Sequence, residues 1–227
     1  MAVAKIIKYN KLGELGGLSM VFSDEVNFNK LQNNFKQRNI NILFFETFND
    51  AKNYIMNTLP LNATIGIGHS QTLENMKITE SLISRGNVVF DKERAKDRAE
   101  SILLKKKALL TDYYLSSSNA VSEDGRIVNI DHSGNRVAAL TYGPDKVLII
   151  VGKNKVVKTQ EDAISRAKNV AAPRNAKRAG FNPPCVTAGQ CMDCLSTERV
   201  CNTISIIQGQ HFDDRLVLII VNEVAGF

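Results

Sequence analysis

The stretch Val147-Leu148-Ile149-Ile150-Val151 decides the fold class of this 227-residue chain. It holds five consecutive aliphatic residues without a charge, which is typical of a strand that is buried on both faces. Leu216-Val-Leu-Ile-Ile-Val221 has the same character, and Ala63-Thr-Ile-Gly-Ile67 is a shorter run of strand length. Strands of this kind occur in parallel sheets that carry helices on both sides. We therefore predict that residues 63–67, 147–151 and 216–221 are buried strands of one sheet.

Short apolar runs and amphipathic stretches alternate along the rest of the chain. Further predicted strands cover 41–46, 87–90 and 127–130, and predicted helices cover 24–38, 47–59, 72–84, 91–110 and 159–171. This alternation favours an α/β fold with a parallel or mixed sheet and helices on its faces. Thr47 and Thr159 each precede a predicted helix, with an aspartate three residues on, which is a helix-capping pattern. Residues 1–22 lack any such period and are predicted to be an N-terminal arm or loop.

The composition excludes several classes of protein. The hydrophobic fraction of 44% and the charged fraction of 23% are those of an ordinary globular protein. No apolar run approaches the roughly 18 residues that cross a bilayer, and the start shows no secretory signal, so we expect a cytoplasmic protein without a membrane span. The net charge of +6 is dispersed, and the run Lys105-Lys106-Lys107 is interpreted as a solvated helix face. We expect no nucleic-acid partner.

A first candidate site is the segment Gly66-Ile67-Gly68-His69-Ser70-Gln71-Thr72, between a predicted strand and a predicted helix. Glycines let a backbone approach a ligand, and the side chains of His69, Ser70 and Thr72, with the helix N-terminus, can donate hydrogen bonds to an anion. The segment lacks the ending of a Walker loop. An ordinary strand-to-helix turn with a serine cap explains the same residues equally well.

A second candidate site is residues 116–136, which are dense in polar and charged side chains. The pair Asp124-Gly125 predicts a hairpin turn, which explains those two residues structurally. It does not explain Asp131 and Arg136, whose carboxylate and guanidinium can orient a polar ligand. The candidate ligand-binding residues here are Asn119, Glu123, Asp124, Asp131, Asn135 and Arg136.

A third candidate is Gly152-Lys153-Asn154-Lys155, directly after the central apolar strand. Ligands of open α/β sheets bind beyond the carboxyl ends of the strands, where Lys153 and Lys155 could bind an anionic small molecule. A basic turn in solvent is the alternative. Because each of the three candidate segments borders a predicted strand, we predict that 66–72, 119–136 and 152–155 converge on one concavity.

All four cysteines of the chain fall within 17 residues, as Cys185, Cys191, Cys194 and Cys201. In a cytoplasmic protein such a cluster indicates a metal site more often than disulfides. Thiolates suit iron–sulfur clusters and zinc, and the spacing C-x5-C-x2-C-x6-C matches neither the ferredoxin run nor a zinc ribbon. An iron–sulfur cluster, zinc and a metal-free redox thiol cluster stay open as alternatives.

Several blocks of this sequence, taken in order, resemble proteins of the LUD-domain (lactate-utilisation) family. The blocks that resemble it are 120–131, 134–139, 143–147, 151–155, 171–177, 184–202 and 221–227. The resemblance implies one LUD-type α/β domain over 23–227, including the Cys-rich segment 185–201. It implies a Rossmann-like sheet flanked by helices, similar to the sugar-phosphate isomerase and CoA-transferase fold. His69 stands where the family often has a glycine, which adds a titratable group to the first loop.

The family resemblance also implies a function, but no catalytic residue. It implies a component or accessory of an iron–sulfur-dependent system for L-lactate oxidation, with iron–sulfur protein subunits as partners. A second hypothesis is a stand-alone enzyme or binding protein for a phosphorylated or acyl-CoA small molecule. A third is a zinc-stabilised interaction module. Whether the chain is an enzyme is left open by the sequence.

Overall fold

The central apolar run forms strand β7 (Lys146–Gly152) of a six-stranded parallel sheet. In this computed structural model, which describes residues 26–227, β7 lies between β10 (Leu216–Val221) and β4 (Tyr113–Ser116). The other strands are β1 (Asn41–Phe45), β2 (Thr64–Ile67) and β3 (Val88–Asp91), and the order is β1-β10-β7-β4-β2-β3. The prediction that 63–67, 147–151 and 216–221 share one sheet is confirmed. The arm predicted for residues 1–22 lies outside the described residues.

Helices cover both faces of this sheet, which confirms the predicted Rossmann-like α/β architecture. Successive residues of β7 point to opposite faces, so that Val147, Ile149 and Val151 enter one hydrophobic core while Leu148 and Ile150 enter the other. The first core is closed by α1 (Phe28–Gln37), α5 (Arg98–Ala108) and α6 (Asn135–Thr141). The second is closed by α2 (Phe48–Thr58), α3 (Gln71–Met76) and α4 (Ile78–Arg85).

A second, four-stranded sheet was not predicted. Its strands are β5 (Ala120–Ser122), β6 (Arg126–Asp131), β8 (Val156–Val157) and β9 (Thr203–Ile207), in the order β8-β5-β6-β9. The predicted hairpin at Asp124-Gly125 joins β5 and β6, and Gly125 has the positive φ of +85° that the turn requires. Alanines and aliphatic residues of α7 (Gln160–Arg166) and of the helical turns after it pack on this sheet. The sheet places Asp131 at the carboxyl end of β6.

Three predicted helices have different boundaries. The helix predicted at 72–84 is divided into α3 and α4 by Lys77, whose φ of 49° is left-handed. The one predicted at 91–110 begins only at Arg98, after a 3₁₀ turn at Lys92–Arg94. The one predicted at 159–171 continues through a π-helical turn, Ala167–Ala171, into α8 (Ala172–Arg178). The capping predictions at Thr47 and Thr159 are confirmed, since each side chain accepts the amide of the aspartate three residues on.

Candidate functional site

A cavity of about 200 Å³ lies beyond the carboxyl ends of the parallel strands. Residues that follow five of these strands line it: His69 after β2, Lys92 after β3, Ser117 after β4, Lys155 after β7 and Phe227 after β10. Parallel strands end at one edge of a sheet, so the loops that follow them meet in space. The loops at the carboxyl ends of the parallel strands therefore form one part of this concavity.

The three candidate segments converge on this cavity, as predicted. Ser70, Asn135 and Lys155, one from each segment, are among the residues that line it. Of the residues proposed to bind a ligand, the lining contains His69, Ser70, Asn119, Asp131, Asn135, Arg136 and Lys155. Gly66, Gly68 and Thr72 lie outside the lining, as do Glu123, Asp124 and Lys153. Ligand binding by any of these residues stays a prediction.

The lining of the cavity is rich in cations. It carries Lys92, Lys105, Arg136, Lys155 and Arg178, and among the described lining residues Asp131 is the carboxylate that faces them. Asp131 accepts the backbone amides of His132, Arg136 and Val137 at 2.9, 2.9 and 3.1 Å, which holds the loop before α6 in place. Because one carboxylate faces several cations, the cavity favours an anionic ligand.

His69 orients Arg178 at the mouth of the cavity. Its Nδ1 lies 3.2 Å from Glu74 Oε1 and 3.4 Å from Glu93 Oε1, and its Nε2 contacts the guanidinium of Arg178. Burial, followed by the charge of Arg178, lowers the pKa of His69 to about 4. At neutral pH the ring is uncharged, so Nδ1–H donates to the carboxylates and Nε2 accepts from Arg178. His69 therefore positions a cation at the rim of the cavity.

Lys155 is buried at the floor of the cavity, with only 3% of its surface exposed. Its Nζ donates to Thr72 Oγ1 at 3.1 Å and to Ser117 Oγ at 3.0 Å. Within the described part of the chain no ion pair joins this Nζ to a carboxylate. Burial, and then the charges of Arg166 and Arg136, lower the pKa of Lys155 to about 7. Thr72 was proposed from the sequence to donate a hydrogen bond to an anion. In the structure it lies outside the lining of the cavity, and its hydroxyl oxygen accepts a hydrogen bond from the amine of Lys155.

Arg136 contributes charge to the cavity while joining the two sheets. Its Nη1 donates to Ser117 O at 3.0 Å, and its Nη2 donates to Asn119 Oδ1 at 2.9 Å and to Ile130 O at 2.6 Å. Asn119 Oδ1 also accepts the amide of Ile130 at 2.8 Å. The two residues thus tie the end of β4 to β6. Replacing Arg136 would disturb this junction together with any ligand contact.

Three of the predicted ligand residues make structural contacts away from the cavity. Glu123 forms an ion pair with Lys30 at 3.0 Å and also accepts the amide that precedes α1. Asp124 accepts the amide of Gln160 at 3.2 Å, at the start of α7. Lys153 donates to Asn222 Oδ1 at 3.3 Å. The polar residues that suggested a single site therefore divide into two groups. Some line the cavity, and others hold neighbouring helices and strands in place.

The first candidate segment, residues 66–72, has glycines at 66 and 68 because there is no space for a larger side chain. A Cβ at Gly66 would lie 2.8 Å from the carbonyl oxygen of Ala108 and 2.7 Å from Tyr114 Cδ2. A Cβ at Gly68 would lie 2.6 Å from Ser116 Oγ. Ser70 caps α3, because its Oγ accepts the amides of Thr72 and Leu73. These contacts favour the alternative of a tight, serine-capped turn for this stretch.

The four cysteines lie in and after α9 (Pro184–Ala188), each half-buried. Burial and then the neighbouring thiols of Cys194, Cys201 and Cys191 raise the pKa of the Cys185 thiol, so each of these three thiols lies within electrostatic reach of Cys185. The guanidinium of Arg199 donates to Cys201 Sγ at 3.5 Å. Across residues 26–227, no three His, Cys, Asp or Glu side chains form a group that could hold a metal ion. The donors suit a soft metal, but their positions here do not form a ligand set, and the metal site stays a prediction.

The Cys-rich segment is attached to the rim of the cavity. Asn202, next to Cys201, donates its amide to Asp131 O at 3.1 Å and its side chain to His132 O at 3.0 Å. Val200 and Phe181 line the cavity, and Phe181 packs edge-on against His132 with ring centroids 5.0 Å apart. The sequence did not assign Phe181, Val200 or Arg178 to the site. Cys201, between Val200 and Asn202, thus lies next to the rim of the cationic cavity.

The family model of the LUD domain matches residues 28–221. Among solved structures, a DUF162-family protein from Deinococcus radiodurans is similar, with a TM-score of 0.49 and 15% sequence identity over 85% of this chain and 94% of that chain. The search of curated proteins found no match. None of the helices in residues 26–227 has the length and apolar character needed to cross a membrane.

Proposed function

Since this chain belongs to the LUD-domain family, which is associated with lactate utilisation, we propose that its cationic cavity binds the small carboxylate of L-lactate oxidation, lactate or pyruvate. In this proposal the chain is a cytoplasmic component or accessory of an iron–sulfur-dependent oxidation system. The observation that carries it is a cavity of about 200 Å³ whose lining cations outnumber its carboxylate. We assign ligand binding to this chain and propose that it catalyses no oxidative step of its own.

The size of the cavity favours a small acid over the alternatives. Pockets for drug-sized ligands measure roughly 300–1,000 Å³, so this one suits a molecule of a few carbon atoms. Most of an acyl-CoA molecule would remain outside the cavity. A small phosphorylated compound meets the same cations and stays the second candidate. The hypothesis of a zinc-stabilised interaction module does not explain why Lys155 is buried.

The cysteines are proposed as the link to the iron–sulfur partners. Four thiols within one exposed segment are the donor type that soft metals and iron–sulfur clusters prefer. A bound cluster would supply one-electron transfer. For Cys185, Cys191, Cys194 and Cys201 to hold it, the segment would have to rearrange from the positions described here. Its attachment at Asn202 would keep such a centre at the cavity rim.

Replacing Arg178 with glutamine should weaken the binding of pyruvate and of L-lactate about tenfold, or about 1.4 kcal/mol, because one charge-assisted hydrogen bond at a partly exposed position is lost. Calorimetric titration of wild type and variant measures this. The matched control is Lys177→Gln, which removes the same charge from an adjacent exposed residue outside the lining. Equal weakening in both variants would show that only long-range charge matters, and unchanged binding in Arg178→Gln would exclude its contact with the ligand.

A further inference from the structure

Lys155 differs from the other cations of the cavity in a way that simple anion binding does not require. It is almost completely buried, and its polar partners among residues 26–227 are hydroxyl groups and not carboxylates. Holding an ammonium group out of water without a counter-ion is costly. A site that needs only permanent positive charge is better served by arginine, which does not lose its proton. The environment of Lys155 instead favours the uncharged amine, which is a nucleophile.

The charged groups around Lys155 act in the same direction. Burial is the largest cause of the lowered pKa of Lys155, and the charges of Arg166, on α7, and then Arg136, on α6, lower it further. With a pKa of about 7, a large fraction of the amine carries a free lone pair at neutral pH. An exposed lysine, with a pKa near 10.4, is almost entirely protonated there. Lys155, which carries this lone pair, is among the residues that line the cavity.

We propose that Lys155 is a nucleophile that forms an imine with the carbonyl carbon of a 2-oxo acid bound in the cavity. This proposal rests on the proposed function, because it requires a small carboxylate to enter the site. The Nζ lone pair attacks C2, a C–N bond forms, and the carbonyl electron pair moves to oxygen. Both hydrogens of the amine leave with that oxygen as water, and the imine nitrogen can then take a proton from solvent. The exchange needs no oxidant or reductant.

Neighbouring side chains supply what this step needs. Ser117 Oγ and Thr72 Oγ1 lie 3.0 and 3.1 Å from Nζ, close enough to fix the amine and to pass its protons. Arg178 and Lys105, elsewhere in the lining, can pair with the carboxylate of the acid. A 2-hydroxy acid has no carbonyl carbon at C2 and cannot form the imine. The site would therefore distinguish pyruvate from lactate covalently, although both fit by size and charge.

The test is to trap the imine by reduction. The full chain is incubated at neutral pH with pyruvate and sodium cyanoborohydride, and its intact mass and peptide map are measured. We expect one adduct, equal to one pyruvate less a water plus two hydrogens, located on Lys155. L-lactate should give none. Lys155→Met should lose the adduct, and the matched control Lys158→Met, which changes an exposed lysine three residues away, should keep it.

The outcomes separate this proposal from the proposed function. Pyruvate that binds in a calorimetric titration but leaves Lys155 unmodified would overturn the imine and leave the binding site standing. Binding of L-lactate without binding of pyruvate would also overturn the imine alone, and the absence of binding by either acid would overturn both. The peptide map of the wild-type protein locates the adduct even if Lys155→Met fails to fold. The labelling rate should reach half of its maximum near pH 7, following the pKa of Lys155, and a half-maximum near the ordinary lysine value would overturn the proposal.

Discussion

Replacing Gly66 with alanine should lower the free energy of unfolding by about 3 kcal/mol, the upper part of the usual range for overpacking a core. Gly66 lies in β2, between β3 and β4, and has no space for a methyl group. The added Cβ would meet the backbone carbonyl of Ala108, which cannot move without shifting α5, and the ring of Tyr114, which is 1% exposed. Urea unfolding of the two proteins measures the difference.

The control for Gly66→Ala is Gly180→Ala. Gly180 has a φ of +76° and open space around the position of a Cβ, so alanine there adds backbone strain without a packing clash. We expect its cost to be about 1 kcal/mol. If Gly66→Ala were no more destabilising than Gly180→Ala, the glycine would have another role. A weakened affinity for an anion at unchanged stability would restore the interpretation that Gly66 serves the ligand.

Protein purified without oxygen should contain a metal centre, and each single Cys→Ser change at 185, 191, 194 or 201 should remove most of it. Four thiolates complete either a tetrahedral zinc site or a four-iron cluster, and the loss of one ligand leaves the centre open to water. Metal and sulfide analysis of the wild type and the four variants measures this. Iron with sulfide would indicate a cluster, and zinc alone would indicate the alternative.

The control for the cysteine series is Thr197→Ser, which changes an exposed residue of the same segment without touching a sulfur. It should keep the wild-type metal content. Metal absent from the wild type and from all five variants would refute the metal centre. The four thiols would then be interpreted as a redox group beside the cavity, and the proposed link to iron–sulfur subunits would lose its support.

The sequence predicts the central sheet well because its strands are buried on both faces. Runs such as 147–151 and 216–221 contain no polar residue, and their short length and many β-branched residues favour a buried strand over a buried helix. The second sheet was missed because its strands carry polar residues at intervals: β9 reads Thr203-Ile-Ser-Ile-Ile207, and β5 ends in Ser122. Their pairing depends on partners that are distant along the chain, as in the register of β6 with β9.

The site was predictable where it follows directly from strand ends. His69 and Lys155 could be found because each comes just after an apolar run. Arg178 could not, because it lies on α8, which begins beyond the predicted end of the helix at residue 171. Glu123 and Asp124 were misleading for a physical reason: a carboxylate that holds a backbone amide in place has the same sequence signal as one that faces a ligand.

The most direct test of the central claim is to map where a small carboxylate binds. Amide chemical shifts of the ¹⁵N-labelled full chain would be recorded during titration with pyruvate and with L-lactate. Binding in the cavity predicts saturable shifts concentrated at 69–71, 117–119, 130–136 and Lys155, where the chain lines it. Shifts confined to other surfaces, or no saturable shifts with either acid, would contradict the assignment of this cavity as the ligand site.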